Sequence, residues 1–210
     1  MTRTPLHAVT DHVIAGCRDL THAVAMIEAA TGVRAAPGGS HPGKGTRNAL
    51  LSLGHLRYLE IVAPDPAQPR LEWFRAIRDM DEPRVIGWAA RAGDIGSIAQ
   101  HLRDAQIAFT GPHAGSRIRP DGTTLSWRTV TLEDDANGLL PFFIEWDAAS
   151  IHPSASAPAG CELTGFDVTY SDATHWPAAA TTLGIALPAT LGAPPRLHTT
   201  IRGPFGTISL

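Results

Sequence analysis

Two carboxylates stand where carboxylates are costly. Arg57-Tyr58-Leu59-Glu60-Ile61-Val62-Ala63-Pro64 is a nearly all-apolar strand pattern with one acid in its middle, and Leu140-Pro141-Phe142-Phe143-Ile144-Glu145-Trp146 repeats it. A strand buried on both faces is a continuous apolar run. A buried acid without a partner is unfavourable. Each Glu therefore predicts a donor, a cation, a metal ion or water at its tip. One reading makes Glu60 or Glu145 a general base whose pKa is raised by burial.

Neighbouring residues supply candidate substrate contacts. Arg47 and Asn48 are adjacent in a strand pattern, so only one of them faces a cavity. Tyr58 shares a face with Glu60. Trp88, Trp127 and Trp146 are candidates for an aromatic wall, or for the core. His41 and His113 fall in two corresponding loops and read as exposed residues near a cavity mouth. His152, His175 and His198 lie in or beyond a linker and receive no role. Gly38 to Thr46 nearly forms a phosphate-binding loop. It fails because Gly45 follows Lys44 where Ser or Thr is needed, and because no strand–loop–helix context surrounds it. No G-x-S-x-G nucleophile elbow occurs.

Positioning these side chains requires a repeated plan. Ala8 to Gly16 reads as a strand, and Asp19 as the N-cap of a helix with Val24, Met26 and Ile27 on its apolar face. A Gly/Pro loop, Ala36 to Gly45, leads to a strand Arg47 to Leu53 and then to the Glu60 strand. Arg70 to Met80 reads as a helix with Leu71, Phe74 and Ile77 on one side. The pattern restarts with a strand Val85 to Arg91. Asp94 caps a helix bearing Ile95, Ile98, Ala99 and Leu102. A loop Gly111 to Gly122, a strand Thr124 to Leu132 and the Glu145 strand follow. His12 and Gly87 stand at the same offset before their caps, Asp19 and Asp94. Two full copies of mixed strand and helix point to a paired α+β module. The expected organisation is residues 1–147 as two modules (6–66 and 84–147), an exposed Ser/Ala/Pro linker at 148–160, and a partial third βαββ unit at 161–210 packed on the same domain.

The totals exclude several classes. With a net charge of −3 and no basic run, nothing favours nucleic acid or an anionic membrane. No apolar stretch is long enough to span a bilayer and no leader pattern opens the chain, so a cytoplasmic protein is expected. Cys17 and Cys161 are too few for a disulfide framework.

The stretches Thr10-Asp11-His12-Val13-Ile14, His41-Pro42-Gly43-Lys44-Gly45-Thr46-Arg47-Asn48-Ala49-Leu50-Leu51-Ser52-Leu53-Gly54 and Tyr58-Leu59-Glu60-Ile61 resemble the glyoxalase-like proteins of the vicinal oxygen chelate superfamily. The resemblance implies paired βαβββ modules whose curled sheets enclose a cavity, with metal ligands on the first and last strand of each module. Carried across, it implies His12, Glu60 and Glu145 as ligands, with the fourth position on Gly87, or on Trp88 if the strand slips by one, neither of which can bind a metal. One imidazole and two carboxylates suit a divalent metal ion such as Zn, Fe, Mn, Ni or Co, and three protein ligands leave positions open for water or substrate oxygens. A bound cation would polarise a carbonyl or stabilise an enolate, and a displaced Glu would move a proton, which is lyase or isomerase chemistry on a small oxygenated, carbonyl-containing metabolite. The same residues also fit a metal-free cavity in which His12 hydrogen-bonds the acids. The gap at the fourth position argues against extradiol dioxygenase chemistry. It leaves a lyase or isomerase, or a metal-free protein that sequesters a small-molecule ligand. Pairing within one chain or across a homodimer both occur in the family.

Overall fold

The computed structural model describes residues 6, 8–68, 70, 74–118 and 122–210. The first two units share one plan. The first runs β1 (Val9–Gly16), α1 (Leu20–Thr31), β2 (Ala36–His41), β3 (Thr46–Ser52) and β4 (Tyr58–Pro64). The second runs β5 (Arg84–Arg91), α2 (Ile95–Asp104), β6 (Phe109–Ile118), β7 (Thr124–Leu132) and β8 (Phe142–Trp146). Asp19 accepts from the Thr21 and His22 N–H groups at the start of α1, and Asp94 from Gly96 at the start of α2. Both helices therefore begin where an acidic side chain satisfies orphan backbone donors. Each then lays its apolar stripe on the sheet: Ala23, Val24 and Ile27 from α1, Ile95, Ile98, Ala99 and Leu102 from α2.

The strands form one eight-stranded sheet in the order β2-β3-β4-β1-β5-β8-β7-β6. β1 and β5 pair antiparallel at its centre, so the two units join within a single chain. β4 and β8 run parallel to the first strand of their own unit. The sheet curls, with helices outside and a cavity inside. Val13 and Ala15 of β1 pack into the helix-side core, while His12 and Ile14 face the cavity.

Two segments read as loops are edge strands. β2 pairs with β3 from Ala36↔Leu50 to His41↔Thr46, and β6 pairs with β7 from Phe109↔Leu132 to Ile118↔Thr124. Their Gly and Pro residues hide the strand periodicity. An edge strand tolerates them because it is hydrogen-bonded on one side only. The segment read as a helix from 70 to 80 is a short 3-10 turn, Arg75–Asp79, preceded by Phe74 at φ 51. Its Leu71 lies outside the described residues. Ile77 still packs inward, against Ile14, Val62 and Met80.

The expected exposed linker is exposed at both ends and packs as a strap through its middle. It contains a short helix, α3 (Pro153–Ser156), Pro153 is buried, and the Pro158 carbonyl accepts from the Ser52 N–H of β3. The third unit holds β9 (Glu162–Tyr170), α4 (His175–Leu183), β10 (Ala189–Leu191), β11 (Arg196–Arg202) and β12 (Thr207–Ser209). Its sheet order is β10-β9-β11-β12, with the unit's first strand inside rather than at one end. It is a differently wound sheet, with one more short strand than its sequence suggests. Phe166 of β9 meets Trp88 of β5 edge to face at 5.5 Å, and Phe166, Val168, Leu197 and Ile201 belong to the same core as α1 and α2. Phe166→Ala is expected to destabilise the protein by about 3 kcal/mol. Urea unfolding at constant m-value measures it.

Candidate active site

A β-bulge builds the centre of the site. In the β1–β5 ladder Thr10 lies opposite Ala90 and His12 opposite Ala89, which leaves Asp11 without a partner. In a regular strand Asp11 and His12 would point to opposite faces. The bulge re-aims one of them, and both end up buried on the same side. His12 Nδ1 lies 2.9 Å from Asp11 Oδ1. An ionised carboxylate only accepts, so Nδ1 carries the proton and donates. The Nε2 atom is thereby turned toward the cavity and stands 3.7 Å from Glu60 Oε2. Tyr58 stacks on the imidazole at 4.5 Å between centroids, and Phe142 meets it edge-on at 5.6 Å.

Asp11 gathers donors from four elements. Arg91 Nε of β5 lies 3.2 Å away, Trp146 Nε1 of β8 3.3 Å, and His152 Nε2 of the strap 3.1 Å. His152 Nδ1 accepts from the Ser154 N–H at the start of α3, so its Nε2 is the donor to Asp11. Burial on its own would raise the Asp11 carboxyl. Hydrogen bonds from His12 and His152 and their charges outweigh it and hold Asp11 well below the usual carboxylate range.

Glu60 sits in a second polar cluster. Asn48 Nδ2 donates to Glu60 Oε1, and Arg117 donates to Asn48 Oδ1 at 3.0 Å. His41 Nε2 lies 3.4 Å from Glu60 Oε1, and Thr46 Oγ1 lies 2.8 Å from His41 Nδ1. Burial pushes the Glu60 carboxyl up, but the His41 hydrogen bond, the nearby His41 and His12 charges and Asn48 bring it down to about 2. This reverses the raised pKa that burial alone suggests from the sequence. The ionised form of Glu60 is thereby favoured. The Tyr58 hydroxyl is pushed well up by burial and by the Glu60 and Asp11 charges.

His12, His41, Asn48, Tyr58, Glu60 and Arg117 line a cavity of about 430 Å³. The rest of the second unit's share of the lining is largely apolar, with Ile86, Trp127, Leu140, Phe142, Ile144 and Trp146. Among the predicted contacts, Asn48, Tyr58 and Trp127 line the cavity. Arg47 does not, because alternation gives that face to Asn48. Trp88 touches the cavity but is a core residue, 1% exposed, whose Nε1 donates to the Leu139 carbonyl. His41 is a lining residue at the end of β2, whereas His113 is exposed on β6.

Glu145 does not join His12 and Glu60. It pairs with Arg128 on the other face of β8, while Phe142, Ile144 and Trp146 face the cavity. The ladder gives the reason. Glu60 lies opposite Ile14, and Phe142 lies opposite Ala89. Ile14 and Ala89 each stand five residues before a capping aspartate, Asp19 or Asp94. Phe142 therefore takes the place in the second unit that Glu60 takes in the first. Glu145, three residues further on, falls on the opposite face. Gly87, at the His12 offset, lines the cavity with open space where a side chain would begin. The three-ligand set expected from the sequence is not assembled, and among the described residues no group of three His, Cys, Asp or Glu could hold a metal ion. The donors brought together here do not fit a resident metal centre.

The Glyoxalase-like domain family matches residues 10–184, and the chain belongs to it, within the vicinal oxygen chelate superfamily. A hypothetical protein from Staphylococcus aureus superposes with a TM-score of 0.68 at 15% identity, covering 95% of this chain and 83% of that one. That likeness is one of fold. Methylmalonyl-CoA epimerase from Mycobacterium tuberculosis aligns at a TM-score of 0.48 and 19% identity over 71% of this chain and 93% of that one. A search of curated proteins found no match. No helix among the described residues is long and apolar enough to cross a membrane.

Asp11→Ala strips the partner from four buried or half-buried donors and is expected to cost about 3–5 kcal/mol, read by urea unfolding. Glu60 makes stability depend on pH. Its folded pKa of about 2 lies below the unfolded value of ~4.3. The stability from its ionised form is complete above the unfolded value and is lost as the pH falls toward the folded one. Unfolding midpoints followed from pH 5 down to pH 2 should therefore fall less steeply in Glu60→Gln than in the unaltered protein.

Proposed function

We propose that this protein is an isomerase- or lyase-type enzyme acting on a small oxygenated, carbonyl-containing metabolite, with His12 as its proton-transfer group. The observation that carries this reading is the Asp11–His12 hydrogen bond, which fixes the tautomer and leaves Nε2 facing the cavity. A carbon acid bound with its α C–H at Nε2 would pass its proton to the imidazole. The resulting imidazolium would lie between two carboxylates, Asp11 on one side and Glu60 on the other. The two carboxylates stabilise the imidazolium that the transfer creates, which lowers the barrier to removing the proton from carbon. The Arg117 guanidinium and the His41 imidazole stand at the same end of the cavity, where negative charge on the substrate oxygen would develop. Returning the proton to carbon completes an isomerisation. Expelling a leaving group completes an elimination. No step is assigned to a metal ion, because the ligand set expected from the sequence is not brought together.

A second reading has its own support. Gly87 and Phe142 occupy the positions that mirror His12 and Glu60, so half of the duplicated site is apolar. That favours a metal-free protein that sequesters a small molecule.

Solvent deuterium incorporation at carbon, followed by NMR over a panel of 2-oxo and 2-hydroxy compounds with and without chelator, separates the two. The enzyme exchanges deuterium after chelation, and His12→Gln lowers the rate by roughly 10²–10⁴-fold. Tight binding without exchange for any compound overturns the enzymatic reading in favour of sequestration.

A further inference from the structure

A glycine inside a strand weakens it, and it is kept where the backbone needs a left-handed φ or where something approaches closely. β5 carries one, Gly87, and the protein itself supplies neither cause. Its φ lies outside the left-handed region, and a Cβ built on it meets no atom within 4 Å. Other strand glycines differ. On Gly16, Gly111 and Gly115 a Cβ would stand 2.8, 2.5 and 2.5 Å from Ile77, Thr129 and Trp127. Gly87 is nonetheless buried, so the open space beside it is the cavity and not bulk solvent.

The ladder register explains where that space lies. β5 has a bulge of its own: Ile14 lies opposite Gly87 and Ala15 opposite Val85, which leaves Ile86 without a partner in the ladder. The two bulged residues, Asp11 and Ile86, each stand eight residues before a capping aspartate. In the first unit the bulge delivers an acid and an imidazole to the cavity. In the second the same device delivers a branched alkyl side chain and bare backbone. His12 lies opposite Ala89, two residues along β5 from Gly87. Gly87 and His12 are therefore diagonal neighbours on one face of the sheet, about 7 Å apart.

The surroundings of Gly87 are apolar. Ile14, its ladder partner, Ile86, its neighbour in the chain, and Phe142 of β8 all line the cavity, and they pack with Val62, Ile77 and Met80. Asp135, the acid that the second unit contributes to the lining, is exposed, and its Oδ1 accepts from the Gly138 N–H. It belongs to the rim.

We infer that Gly87 is a specificity-determining residue: it opens an apolar slot beside His12, bounded by Ile14, Ile86 and Phe142, that takes an alkyl chain of the ligand. A chain of a few carbons attached to the carbon that meets His12 reaches it. The inference deepens the proton-transfer reading of this cavity and rests on it for the position of the reacting carbon, but chain-length selectivity is measured by binding alone.

Neutral ketones, from methyl ethyl ketone to methyl pentyl ketone, serve as probes, with binding read by NMR titration. In the unaltered protein the affinity is expected to rise by up to about fourfold per added methylene, the worth of burying one. Gly87→Val fills the slot. It should weaken methyl pentyl ketone by roughly tenfold or more and leave methyl ethyl ketone within about twofold. Gly87→Ala should fall between. Both substitutions add apolar atoms to open space at a strand position, so urea unfolding should show no loss of stability. If Gly87→Val does lose its fold, Gly87→Ala decides. Affinity that does not rise along the series, absence of binding included, overturns the inference. So does a rise that the substitutions leave unchanged, or a loss equal for short and long ketones. Chain-length selectivity without deuterium exchange would uphold the slot while the enzymatic reading fails, and exchange without chain-length selectivity would do the reverse.

Discussion

The site depends on one buried carboxylate. Asp11 lies in a strand that would otherwise turn it away from His12, and the bulge that brings it inward leaves a charge with no exposure to water. Such a charge persists only when its lone pairs are filled. Here they are filled by a first strand, its antiparallel partner, the last strand of the second unit and the strap behind it. The same contacts that make Asp11 tolerable fix the tautomer of His12, and the tautomer determines which nitrogen the cavity receives. Folding stability and chemical poise thus rest on the same atoms.

The duplicated units have diverged in a directed way. Module one supplies the polar cluster, His12, His41, Asn48 and Glu60. At the mirrored positions module two supplies Gly87 and Phe142, and it adds Arg117 from an edge strand. One side therefore manipulates charge and the other offers surface for apolar contact. Antiparallel pairing of β1 with β5 holds both sides around a single space.

Much of the fold was legible in the sequence because its signals are local. Asp19 and Asp94 mark helix starts by cap chemistry, and the β4 and β5 patterns are strongly apolar. β2 and β6 were hidden because an edge strand has no need of alternation, and Gly38, Gly39 and Pro112 disguise it. The site was legible only in part. His12 and Glu60 carry their own signal, an imidazole and an acid in apolar strands. Glu145 carried the same signal and sits on the other face, since facing depends on a ladder register that no local pattern states. Asp11 could have been flagged as an acid beside His12, yet its burial follows from a bulge. His152 offered no signal, because a Ser/Ala/Pro segment looks solvated whether or not it packs.

The strap has a consequence for how the molecule comes into being. Its His152 follows both units in the chain and reaches back to the second residue pair of the first strand. His152 lies 141 residues after Asp11, so during synthesis the acid of the first strand cannot be closed off from water until the strap has followed both units out of the ribosome. The polar centre of the cavity is therefore completed long after its imidazole has been made.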